Sequence, residues 1–128
     1  MRRSDQRRDA AFALYQREVT GQPLEELLTG AKPFTRELAE GVDQNQAELD
    51  ELIAAHAAGW TVDRIAPLER SIMRLALYEV AHRDDVPTEI ALDEAVNLAR
   101  EYCSAETPRF VNGVLGAAVR TAAGEEAS

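Results

Sequence analysis

The chain reads as all-α: two small helical bundles packed together, with about six to seven helices. Three observations predict this class. Apolar residues recur at helical spacing with no convincing strand alternation. Gly and Pro cut the sequence into helix-length segments. The apolar content is 45% but aromatics are only 5%, so the core must be built from Ala, Leu, Val and Ile. The punctuation places one bundle at residues 1–58, a second at 59–122, and an acidic tail read as disordered at 123–128.

Taken in order, residues 4–19 place Phe12, Tyr15 and Val19, with Ala11, on one helical face; Ser4 is the expected N-cap and Thr20-Gly21 the stop. Residues 23–28 form a short second helix closed by Thr29-Gly30. Pro33-Phe34 opens a long third pattern through Leu38, Val42, Leu49, Leu52 and Ile53 to about Ala58, weakened by Gly41 and Asn45 and ended by Gly59. The stretch GWTVDRIAPLER, residues 59–70, is the joint between the halves, where Trp60 and Ile65 are expected to pack. Pro67 suits the first turn of a helix over 67–82 that is apolar nearly all round and should be the most buried element. Glu79 falls inside its apolar stripe, and an unpaired buried carboxylate is costly, so a buried Arg or backbone partner is expected. Tyr78 faces away from that stripe, toward the other bundle or a protein. Residues 83–87 read as a loop; Thr88 or Asp93 caps a fifth helix with Ala95, Leu98, Ala99 and Tyr102 inward.

The segment ETPRFVNGVLG, residues 106–116, contains Asn-Gly, a strong hairpin signal. Alternating apolar residues are absent on both sides of it. Thr107 instead suits an N-cap and Pro108 the first helical position, so a helix over 108–122 wins. Phe110, Val111, Val114, Leu115 and Ala118 share its apolar face, while Arg109, Asn112, Gly113, Gly116 and Arg120 lie opposite. Glycines inside a helix cost roughly 0.5–1 kcal/mol each relative to Ala, so two on one face want a reason. Close approach of a neighbouring helix and close approach of a ligand both supply one.

Composition narrows the function. A single cysteine, Cys103, excludes an internal disulfide and suits a reducing compartment, and neither a membrane span nor a signal peptide is supported, so the chain reads as cytoplasmic. His56, His82 and Cys103 assemble no metal or nucleophile motif, so no enzyme, metal or cofactor is expected. The net charge of −9 is unevenly spread: the first eight residues carry four Arg and one Asp, leaving 10 basic and 22 acidic residues in the other 120. A small positive end on an acidic body is either a solubilised helix end or a local phosphate-binding patch.

Four blocks in order, ALYQ (13–16), ERSIMRLALYEV (69–80), DVPTEIALDEAVNLA (85–99) and RFVNGVLG (109–116), resemble the NusB family of bacterial transcription antitermination factors. The resemblance implies binding of boxA RNA in ribosomal RNA leader transcripts, together with NusE, a small-subunit ribosomal protein. It further implies loading onto the RNA polymerase elongation complex, with a homodimer possible when NusE is absent. Matched residue by residue, it implies RNA contacts from Arg3 and Arg7, with Arg2 and Arg8 as neighbours, and from Glu106, Arg109, Phe110 and Asn112. Glu69 matches the NusE-facing surface, with Arg70 beside it, and Tyr15 lies in the motif of the first helix. Read on chemistry alone, Phe110 either packs in the core or offers a base a stacking platform, and Asn112 either bonds across a helix interface or reads a base edge. Two other functions fit the same helices: an RNA-positioning domain related to ribosomal RNA cytosine methyltransferases, and a protein–protein module without RNA binding.

Overall fold

The computed structural model describes residues 1–122, and the tail at 123–128 lies outside the described residues. Among them are seven α-helices and one short 3-10 turn, with no strand: α1 Arg3–Thr20, α2 Leu24–Leu27, α3 Pro33–Gln44, α4 Gln46–His56, the turn Val62–Arg64, α5 Pro67–His82, α6 Thr88–Tyr102 and α7 Thr107–Ala122. The sequence marks most of the boundaries. Gly21, Gly30 and Gly59 end their segments at φ of 78°, 75° and 79°, a left-handed conformation that L side chains resist. The long pattern expected over residues 33–58 is two helices. At Asn45 the backbone N–H reaches both Gly41 O and Val42 O, and the side-chain Nδ2 also donates to Gly41 O at 2.8 Å, which closes α3.

The helix α5 is the centre of the molecule, as its apolar composition predicted. It packs against α1, α3, α4, α6 and α7. Ile72, Met73, Leu75, Ala76 and Leu77 are buried, and one continuous apolar cluster runs from Ala10 in α1 to Ala118 in α7. Tyr78 turns toward α3, where its ring fills the place a side chain at Gly41 would occupy. Gly41 is therefore a glycine of close helix approach, one of the two roles open to Gly113 and Gly116. Those two meet no neighbouring helix: nothing comes near Gly113, and only the Arg120 guanidinium lies beside Gly116.

The inward face of α1 is not the one expected. Arg7, Ala10, Ala11, Ala13 and Leu14 are buried, whereas Phe12 and Tyr15 are half-buried and Val19 is 57% exposed. Alanines let α1 lie close to its neighbours, and the larger residues flank that seam. Phe12 meets Tyr102 of α6 edge-on, with ring centroids 4.9 Å apart. The expected caps are also used otherwise. Ser4 donates to Glu94 at 2.7 Å, and the Thr107 hydroxyl donates to Glu69 at 2.7 Å, so each hydroxyl ties two helices together rather than ending one. Each helix then starts one residue earlier than expected, at Arg3 and Thr107. Thr88 is likewise the first residue of α6, after Pro87.

Candidate nucleic-acid interface

The arginines at the start of α1 sit at one end of α5, where Arg7 meets Glu79. Arg7 is only 4% exposed; its Nε donates to both carboxylate oxygens of Glu79, at 2.8 and 3.1 Å. Glu79, 1% exposed, thus has the buried Arg partner that its place in the apolar stripe demanded. Burial pushes the Glu79 carboxyl up, and the Arg7 charge pulls it back. Arg7 is in consequence not available to a phosphate, contrary to the contact the resemblance implied. Arg3 pairs with Asp85 at 2.9 Å and lies over the Phe34 ring, its guanidinium carbon 4.2 Å from the centroid. The guanidinium carbons of Arg7 and Arg83 lie 5.3 and 5.2 Å from the same centroid, a cation–π arrangement that orders the cluster. Hydrogen bonds from Arg83 and Arg3 hold the Asp85 carboxyl down at about 2. Arg8 leans on Asp5 and Asp9, while Arg2 is the most exposed of the four, its nearest carboxylate being Asp5 at 3.6 Å. The positive end is therefore partly neutralised, and Arg2, Arg3 and Arg8 form its outer rim.

The start of α7 sits at the other end. The two ends are marked on α5 by Glu69 and Glu79, ten residues apart in sequence, which is about 15 Å of helix. Here the chain forms an open cleft of about 410 Å³, walled by Trp60, Ile65 and Phe110 and rimmed by Arg64, Glu69 and Glu106. The folding logic is local. Ser104 and Thr107 hydroxyls are 2.9 Å apart, and because the Thr107 proton goes to Glu69, Ser104 donates to Thr107. This chain pins the start of α7 to the start of α5. The backbone N–H groups of Thr107 and Phe110 are spent on Ser104 O and Glu106 O, and Pro108 has none. Of the first four residues that leaves the N–H of Arg109, a weaker anion site than an open helix end.

Glu69, Glu106 and Phe110 are thus brought together, with Arg109 and Asn112 exposed on the adjoining turn. Phe110 is half-buried at the edge of the core and open to the cleft on its other side. Arg70 is not a free surface charge: it donates to Val62 O, Ile65 O and Glu18, bracing the 3-10 turn against α1. Tyr15 lies on α1, apart from the cleft. Trp60, expected to be packed at the joint, is 52% exposed and meets Phe110 edge-on at 6.3 Å. It is the cleft residue that sequence reasoning missed, together with Arg64. The available signal was an aromatic next to a helix-stop glycine, where a large ring has no stripe to join. Burial, and the neighbouring Glu69 charge, push the Cys103 thiol up, which favours its neutral form.

No cluster of metal-ligating side chains occurs among the described residues. An aromatic, charged cleft lies at one end of a buried helix and a rim of arginines at the other, in a fold that is all-helical among the described residues. The NusB family model matches residues 4–120, and the chain belongs to the NusB family. Transcription antitermination protein NusB of Geobacillus kaustophilus is 43% identical over 121 residues, spanning 90% of this chain and 93% of that protein. Its counterpart in Saccharopolyspora erythraea is 40% identical over 124 residues, 89% of this chain and 84% of that one. Among solved structures, T. maritima NusB matches with a TM-score of 0.87 at 29% identity, covering 94% of this chain and 92% of that one. A structure of antitermination factors NusB and NusE in complex with dsRNA matches at 0.80 and 25% identity, over 94% of this chain and 99% of that one.

Proposed function

We propose that this chain is a transcription antitermination factor that binds boxA RNA of ribosomal RNA leader transcripts together with NusE and supports processive elongation by RNA polymerase. It is a binding adaptor, not an enzyme. The observation that carries the reading is the cleft at the start of α7, where Glu106 and Phe110, matched to the family's RNA-facing positions, line one surface with an exposed tryptophan, and Arg109 and Asn112 stand exposed on the adjoining turn. In this reading Arg2, Arg3 and Arg8 hold phosphates at the far end, and Glu69 belongs to the same surface as the partner contact. Arg7 and Arg70 serve it indirectly, by holding α1 and the 3-10 turn in place. Attachment to the elongation complex, a homodimer in the absence of NusE and a cytoplasmic location complete the proposal. No helix of the described residues is long and apolar enough to cross a membrane, which agrees with it.

The acidic body explains why a partner is needed. With a net charge of −9 the protein repels RNA at a distance, so a few arginines must work against the mean field. A titration of labelled boxA RNA tests this. NusE is expected to tighten binding, and Arg2→Ala with Arg109→Ala to weaken it, with log affinity falling against log salt at about −0.7 per phosphate neutralised. Binding indifferent to NusE, to both substitutions and to base sequence would refute the reading.

A further inference from the structure

We propose that the corner between Trp60 and Phe110 is a slot for a single RNA base, selecting a base that carries an amino group on its pairing edge, guanine first and uracil last. This rests on the RNA-binding reading above and adds which base enters, and where. The largest side chain of the protein stands 52% exposed with its ring edge-on to Phe110, centroids 6.3 Å apart and planes at 63°. Two rings at that angle cannot clasp a base between parallel faces. They form a corner, in which a base stacks on one ring and meets the other side-on. The cleft volume of about 410 Å³ is in the range of sites that hold small planar ligands.

Its charges decide the orientation. Glu69 and Glu106 rim the cleft, and carboxylates repel phosphate, so the backbone must pass outside it, where Arg64 of the lining and the exposed Arg109, three residues after Glu106, are the cations in reach. Carboxylates only accept hydrogen bonds, so the base must donate. Guanine offers N1–H and N2–H side by side, matching both oxygens of one carboxylate. Adenine and cytosine offer one amino group. Uracil offers N3–H between two carbonyl oxygens, which face a carboxylate unfavourably. Glu69 is held by the Thr107 hydroxyl through Oε1, so its orientation is set before any ligand arrives. The exposed Glu106 is the carboxylate that pairs with the base.

Trp60 is the one tryptophan in the 128 residues, so its emission reports on the slot directly. The test titrates the full chain, at low salt, with a uridine dodecamer and with the same RNA carrying one central guanosine. The guanosine RNA is expected to quench the emission and to bind at least about fivefold tighter, the lower end of what one good bidentate base contact discriminates. Glu106→Gln should remove most of that preference. With labelled RNA, Trp60→Leu should weaken guanosine binding about fivefold or more, and Trp60→Tyr should retain it. Equal affinity for the two RNAs, or RNA binding without a change in Trp60 emission, overturns the slot while leaving RNA binding intact. Quenching by NusE alone, with none by RNA, assigns the cleft to the protein partner and also overturns it. Failure to bind boxA RNA with or without NusE removes the functional reading and the slot with it.

Discussion

Arg7 shows what a single residue's spacing does and does not reveal. Its separation of four from Arg3 puts both on one side of α1, and both do reach the Phe34 ring. Spacing alone does not say which side of the helix faces inward. The deciding clue was available: Arg7, Ala10, Ala11 and Leu14 fall at i, i+3, i+4 and i+7, the stripe of a buried face. An arginine heading such a stripe is more readily a buried counterion than a phosphate ligand, and Glu79 was the carboxylate in need of one. Arg7→Ala leaves that carboxylate buried and unpaired, so we expect a loss of about 3–5 kcal/mol in urea unfolding. Replacing both partners with apolar residues, Arg7→Met with Glu79→Leu, should recover most of it. RNA affinity of the folded Arg7→Ala fraction should stay near that of the parent, whereas Arg2→Ala should lower affinity and leave stability unchanged.

At the level of helices, the sequence was most legible where one residue type forces the backbone and least where a side chain reaches across to another element. The bounds of α5 could be read from its apolar run and Pro67, and the ends at Gly21, Gly30 and Gly59 from glycine's freedom at positive φ. The hydroxyls of Ser4 and Thr107 could not, because their partners Glu94 and Glu69 are distant in sequence, while the break at Asn45, closed by local bonds to Gly41, showed only as a weak point in a longer pattern. The cleft shows the same division. Glu106, Arg109 and Phe110 belong to one short segment, but Trp60 is distant in sequence and meets Phe110 only in the folded molecule. The glycines make the point measurable. Gly41→Ala drives a methyl group into the Tyr78 ring and should cost about 1–3 kcal/mol, through a shifted α3–α5 contact. Gly113→Ala meets nothing and removes a flexible residue from a helix interior, so it should raise stability by about 0.5–1 kcal/mol. Thermal melts of the two variants should move in opposite directions.

Across the whole molecule, a run of ion pairs ties together elements that the apolar core alone would leave free to slide. Glu18 at the end of α1 accepts from Arg70 and Arg74 of α5, and Arg74 also donates to Asp50 of α4 at 2.6 Å. Burial alone would raise the Glu18 carboxyl, but the two arginines outweigh it and hold it below the usual range. Asp85 is held down at about 2 by Arg83 and Arg3. Both groups bind protons less readily folded than unfolded, so their stabilisation is present above the ordinary carboxylate range and is lost as pH falls. Glu79 is shifted the other way, chiefly by burial, so its contribution grows as pH falls toward 4.5 and then levels off. The two trends together predict greatest stability in mildly acidic solution and a steep decline from about pH 4 down to 2. Urea midpoints across that range provide the measurement. Glu18→Gln should lower stability at pH 7 and flatten the acid decline, because the variant has no carboxylate there to protonate. An acid decline equally steep in the variant would mean that Glu18 does not contribute to it.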